Sequence, residues 1–98
     1  MRSGFSLASW GYVTGFKLGS ICVVSCSGIR SSVALSSDTP AIDIPYRVKT
    51  SAASRFPIGN TGTKFGIASA LVGQKYLVLN EFPVNENAFF TLVFAVND

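Results

Sequence analysis

The sequence predicts an all-β fold, which is a sandwich, a barrel or a jelly roll. Several segments alternate large and small side chains with a period of two, and turns rich in Gly, Pro, Ser and Asn separate them. A helical period of 3.6 is seen only weakly, over residues 63–71, where a short helix is the alternative. At 98 residues the chain has room for one domain, so residues 1–98 are predicted to form a single sandwich domain or a fragment of one.

The first predicted strand has its large side chains at even positions, at Trp10, Tyr12, Phe16 and Leu18. This pattern predicts a half-buried strand whose aromatic side chains pack in the core or in an interface. Residues 21–25 are apolar on both faces and predict a central strand, which a turn at Gly28 would end.

The cleanest alternation lies in residues 42–48, where Ile42, Ile44, Tyr46 and Val48 share one face. Pro45 cannot donate a hydrogen bond, which predicts an edge strand or a place where the pairing changes.

Other segments complete the predicted sandwich. Residues 33–35 are expected to form a short strand and residues 81–87 a polar turn. Residues 50–64 are expected to form a loop, and loops of this length are usually functional or disordered. Further strands are predicted at residues 65–71, 76–79 and 88–96, and the last of these is apolar on both faces, as in a central strand.

The chain carries little charge. Apolar residues make up 48% and charged residues 13%, whereas a typical soluble domain has roughly 25% charged residues. We therefore expect other chains to cover much of the surface. The net charge of +3 is spread along the sequence, and Arg47, Lys49 and Arg55 are the candidate contacts to RNA phosphates or neighbouring subunits, with an ordinary solvated face as the alternative.

The sequence contains few residues that could carry out catalysis. The chain has no histidine, which removes the commonest general base and most zinc sites, so no enzyme, cofactor, metal or small-molecule substrate is predicted. Asp43 is expected to form an exposed ion pair with Arg47 on the same strand face. A hydrolase that pairs Asp43 with a second carboxylate is a remaining alternative.

Cys22 and Cys26 are the only cysteines. On one face of a strand they would lie about 13 Å apart, whereas bridged Cα atoms lie roughly 4.4–6.8 Å apart. They are therefore expected to be free core residues in a reducing setting. The uncharged stretch between Lys17 and Arg30, residues 18–29, is too short and too polar for a bilayer span, although residues 23–26 resemble a lipobox and leave a signal sequence as an alternative.

Three short motifs follow one another in the second part of the chain. A strand ends in Ile-Pro-Tyr at residues 44–46, a loop with Arg-Phe-Pro follows at residues 55–57, and an apolar strand closes the domain before the Asn-Asp of residues 97–98. With this order of features, residues 33–98 resemble the C-terminal half of a jelly-roll capsid protein of picornavirus-like positive-strand RNA viruses. The resemblance implies an antiparallel β-sandwich of the jelly-roll type, complete or partial. The resemblance implies a structural subunit of an icosahedral shell, found in the virion. Its partners would be other capsid subunits and, at the inner surface, genomic RNA, while the loop at residues 50–64 would contact neighbours.

A second hypothesis is a small secreted or cell-surface β-sandwich that binds carbohydrate or protein, such as an adhesin or pilus-like module. This hypothesis predicts solvent-exposed aromatic side chains.

Overall fold

The computed structural model describes residues 2, 4–32, 34–58, 64–81 and 87–97, and within these ranges it contains eight strands and no helix. The strands are β1 (Phe5–Leu18), β2 (Ile21–Ser31), β3 (Thr39–Asp43), β4 (Arg47–Val48), β5 (Ala52–Ile58), β6 (Lys64–Ala70), β7 (Tyr76–Asn80) and β8 (Ala88–Asn97).

The strands form two four-stranded antiparallel sheets that pack face to face. The front sheet has the order β1-β2-β8-β4, and the back sheet has the order β3-β7-β6-β5. The two sheets meet at one corner, where Ile58 of β5 pairs with Ala88 of β8. The predicted all-β sandwich is therefore confirmed.

The order β8-β5-β6-β7 is that of a Greek key, in which the fourth strand returns to lie beside the first. A jelly roll contains two such keys in eight strands. This strand order does not confirm the jelly-roll connectivity predicted from the sequence.

The core lies between the sheets and is built from alternate residues of the strands. In β8 every second side chain is buried: Ala88, Phe90, Leu92, Phe94 and Val96. From the back sheet, Phe56 stacks on Phe90 with ring centroids 5.5 Å apart, and Leu77 and Leu79 of β7 are fully buried. The central position predicted for residues 88–96 is confirmed, because β8 pairs with β2 on one side and with β4 and β5 on the other.

The strand β2 is longer than predicted. Gly28 does not end it in a turn; instead the register against β8 shifts between Ser27 and Ile29, and pairing continues. Gly28 has a φ of 74°, in the left-handed region that glycine adopts without steric cost, so it accommodates a β-bulge within the strand.

The loop predicted at residues 50–64 is wrong, and so is the short helix at residues 63–71. Residues 52–58 and 64–70 are paired strands β5 and β6 along their whole length. The strand predicted at residues 65–71 is confirmed by β6. In β5 the half-buried Ala52 and Ser54 are small, so the hydrophobic pattern is too weak to indicate that strand. The turn between the two strands (59–63), Val33 and most of the polar turn predicted at residues 81–87 lie outside the described residues.

The alternation at residues 42–48 is confirmed, since Ile42, Ile44 and Val48 are buried. It belongs to two strands rather than one, because β3 pairs with β7 in the back sheet and β4 pairs with β8 in the front sheet. Pro45 lies between them, where the pairing changes, as its missing N–H predicts.

Arg2, which precedes β1, contacts β3 and β7. The Arg2 N–H donates to the Ala41 carbonyl at 2.9 Å, and the Arg2 guanidinium pairs with the Asp43 carboxylate at 2.9 Å and lies over the Tyr76 ring. The predicted Asp43–Arg47 pair is therefore wrong. The Arg47 guanidinium instead donates to the carbonyl of Gly73.

Candidate interaction surface

The large side chains at even positions of β1 point away from the core. Register fixes this orientation, because Val13 lies opposite Cys26 and Lys17 opposite Cys22, and both cysteines are buried. The odd positions of β1 therefore face inward and the even positions face solvent. The predicted half-buried strand is confirmed, but Trp10 and the other large side chains at even positions form its exposed face rather than part of the core. Their role in an interface remains a prediction.

These side chains form one surface with those of the neighbouring strands. We call it the outer face and define it as the outward side chains of β1, β2 and β8. Across the three strands, Phe16 lies opposite Val23, which lies opposite Val93. The described residues include nine exposed large hydrophobic side chains, and seven belong to the outer face, with exposed fractions of 42–77%: Trp10, Tyr12, Phe16, Leu18, Ile21, Phe89 and Val93.

Two polar side chains at the centre of the outer face form a hydrogen bond with each other. Ser25 and Thr91 are cross-strand partners, and their hydroxyl oxygens are hydrogen-bonded at 2.9 Å. Burial of this pair under a partner would leave fewer unmet hydrogen bonds than burial of two isolated hydroxyls. The outward positions of residues 12–18, 21–27 and 89–95 carry no charge, because the one charged residue among them, Lys17, faces inward.

Trp10 is held in place on the outer face. Its ring stacks on Phe89 with centroids 5.7 Å apart and an interplanar angle of 15°. Gly28 lies under the indole, so closely that a Cβ there would approach Trp10 Cζ3 to 2.9 Å. The bulge in β2 thus provides the space in which the tryptophan lies.

Polar groups border the outer face. At one end Arg30 Nε donates to Asn87 Oδ1 at 2.6 Å. On the β4 side, Arg47 and Asn97 are exposed cross-strand partners. A mainly apolar surface with a polar border is a common composition of a protein–protein interface.

The three cations predicted to contact RNA or neighbours lie on different sheets. Arg47 belongs to β4, and the Lys49 N–H donates to the Ala95 carbonyl of β8, so these two residues lie at the border of the front sheet. Arg55 is exposed on β5, in the back sheet. Lys75, which the sequence pattern did not single out, lines a depression of about 280 Å³ together with Arg47. Only the fold brings Lys75 to Arg47, and no sequence signal would have found it.

Beneath β1 a groove of about 320 Å³ opens between the two sheets, lined by Val13, Ile42 and Ile44 among others. Lys17 also lines it, with Nζ 5.1 Å from the centroid of the Tyr46 ring.

Cys22 and Cys26 are both free and buried, as predicted. Burial raises the pKa of the Cys22 thiol, and the nearby Lys17 charge partly offsets this effect. Burial raises the pKa of Cys26 to about 11. Both thiols are therefore protonated at neutral pH and are poor nucleophiles.

Potential metal ligands do not cluster in the part of the chain that the structure describes. Among those residues, no three His, Cys, Asp or Glu side chains come together in a group able to hold a metal ion. The same residues include no helix that is long and apolar enough to cross a bilayer.

No protein-family model, curated protein or solved structure matches this chain. The resemblance to a capsid protein thus rests on short motifs in the sequence alone. The outer face is the structural feature that indicates a function.

Proposed function

We propose that this chain is a structural subunit that assembles with other protein chains through the outer face. One observation carries the proposal: seven large apolar side chains lie exposed on a single sheet face, and residues 12–18, 21–27 and 89–95 direct no charged side chain outward there. Monomeric proteins seldom expose contiguous apolar patches of more than about 300–600 Å², and larger ones usually mark interaction sites. The low proportion of charged residues in the whole chain agrees with this role.

A subunit of a virus shell is the specific form of this proposal. Its partners are other capsid subunits, and Arg47, Lys49 and Arg55 are its candidate contacts to genomic RNA. The motif resemblance and the apolar outer face support this form. It predicts closed particles of uniform size when the chain is produced in cells, and electron microscopy of the purified material would reveal them.

The assembly proposal is tested by measuring mass against concentration. We expect analytical ultracentrifugation at micromolar concentrations to find species larger than a monomer. Val93→Lys should reduce them strongly, because association would bury an unpaired ammonium group. The matched control is Val72→Lys, since Val72 has a similar exposure, 60% against 55%, but lies in the turn after β6 and outside the outer face.

A monomeric wild-type chain at micromolar concentration would contradict the assembly proposal. Equal effects of the two lysine substitutions would show that assembly does not use the outer face. Circular dichroism of both variants verifies that they keep the β fold.

Carbohydrate binding at the cell surface or outside the cell is the second candidate, because the aromatic side chains are exposed as that hypothesis predicts. Trp10, Tyr12 and Phe89 lie close together on the outer face, and sugars stack on exposed aromatic rings of this kind. Trp10 is the only tryptophan, so its fluorescence reports on this site directly. Saturable quenching by a panel of sugars would favour this candidate, whereas unchanged emission throughout the panel would exclude those sugars as ligands.

A further inference from the structure

We infer that the partner of the outer face is a second copy of this chain, bound outer face to outer face across a two-fold axis. The inference rests on the proposed function and adds to it the identity of the partner and the symmetry of the contact. In such an isologous dimer the same surface contributes from both sides, so one self-complementary patch is sufficient.

The size of the outer face fits a dimer. If a fully exposed large side chain presents roughly 200 Å², the exposed fractions of the seven side chains amount to an apolar surface on the order of 800 Å². A standard protein–protein interface takes about 800 Å² from each partner. The outer face, with its polar border, thus has the area that one side of a stable dimer needs.

The charge distribution also fits a second copy. Two copies of a chain with a net charge of +3 repel each other at a distance, and a contact surface without charge adds no further repulsion between them. The outward positions of β1 from Tyr12 onward and their partners on β2 and β8 provide such a surface. A nucleic acid or an acidic protein would require cations there, and residues 12–18, 21–27 and 89–95 direct none outward.

The centre of the outer face suits the position of the axis. The row formed by Thr14, Ser25 and Thr91 has smaller side chains than the row of Phe16 and Val93 on one side and the row of Tyr12 and Phe89 on the other. Two sheets pack about 10 Å apart when their side chains interdigitate. With the axis near the Ser25–Thr91 pair, Thr91 lies close to its own copy in the partner.

The test uses opposite charges at this central position. Thr91→Lys and Thr91→Glu, each alone, should raise the dimer dissociation constant at least about tenfold, because like charges meet across the axis. An equimolar mixture should recover dimers containing one copy of each variant, detected by native mass spectrometry. The control pair, Val72→Lys and Val72→Glu, should dimerise like the wild type whether mixed or separate.

Trp10 provides a second measurement on the unmodified chain. Because the contact covers Trp10, we expect acrylamide quenching of its fluorescence to decrease as protein concentration rises through the dimerisation range. Unchanged quenching would overturn the inference.

The outcomes separate this inference from the proposed function. If the wild type assembles but the Thr91 variants assemble equally well, or their mixture does not recover dimers, the two-fold contact is wrong and assembly itself stands. A wild type that remains monomeric at all accessible concentrations would overturn both.

Discussion

Gly28 shows how one residue shapes the outer face. Its left-handed backbone forms the bulge in β2, and its missing side chain leaves the space that the Trp10 ring occupies. The exposed position of Trp10 and its stacking on Phe89 both follow from this local arrangement. Bulges commonly redirect side chains in this way, and they are frequent next to functional surfaces.

We predict that Gly28→Ala lowers the free energy of unfolding by about 2–4 kcal/mol, because left-handed strain is added to a clash with the indole. Gly19→Ala is the control: Gly19 has a φ of 63°, but a Cβ added there would meet nothing within 4 Å, so only strain of about 1 kcal/mol is expected. Urea denaturation of both variants measures the difference. Equal losses would show that the indole moves away without cost.

The Cys26 thiol gives a prediction about pH. In the unfolded chain the thiol ionises near pH 9.0, whereas burial raises the pKa of Cys26 in the fold to about 11. Above the unfolded value the unfolded chain loses a proton that the folded chain keeps, so stability falls as pH rises; below it this group has no effect. The expected loss by pH 10 is about 1 kcal/mol.

Cys26→Ala removes this contribution. Urea unfolding at pH 7.5 and pH 10 should show a smaller decline with pH for the variant than for the wild type, even though the variant is less stable at both. If the two proteins decline in parallel, the ionisation of Cys26 does not limit stability at high pH.

At the scale of elements, β8 links the two sheets. It is central in the front sheet, and its first residue pairs with β5 of the back sheet. Phe90, two residues further on, stacks on Phe56 of β5 in the core. This aromatic pair fixes the corner at which the sheets meet.

Phe56→Ala should therefore cost about 3–5 kcal/mol, because it removes a buried aromatic ring and leaves a cavity. Phe65→Ala is the matched control in β6, where the ring is 47% exposed, and we expect a loss of less than about 1 kcal/mol. Thermal and urea unfolding of both variants measure the two losses of stability. Comparable losses would contradict the assignment of the Phe56–Phe90 pair as the link between the sheets.

For the whole molecule, assembly and stability are coupled. A partner that binds only the folded state stabilises it by mass action, so the melting temperature of an assembling chain depends on its concentration. We expect the wild-type melting temperature to rise with protein concentration and that of Val93→Lys to stay nearly constant. Differential scanning fluorimetry over a hundredfold range of concentration measures both, and a constant wild-type value would argue against assembly.

The sequence by itself determined the all-β class, the buried alternation of residues 42–48, the change of pairing at Pro45, the central strand at residues 88–96 and the free cysteines. These features depend on local properties. Neighbouring residues alone reveal a period of two, the missing N–H of a proline, and the separation of two cysteines along a strand.

Only the tertiary structure decided which side of β1 faces outward. Alternation defines two faces but does not say which is buried; that depends on the register against β2, and a shift of one residue reverses it. Pairing across the chain likewise formed β5 from a segment predicted to be a loop, brought Arg2 to Asp43, and joined side chains from β1, β2 and β8 into the outer face. The candidate site therefore arises from contacts between distant segments, and such contacts leave no local signal in the sequence.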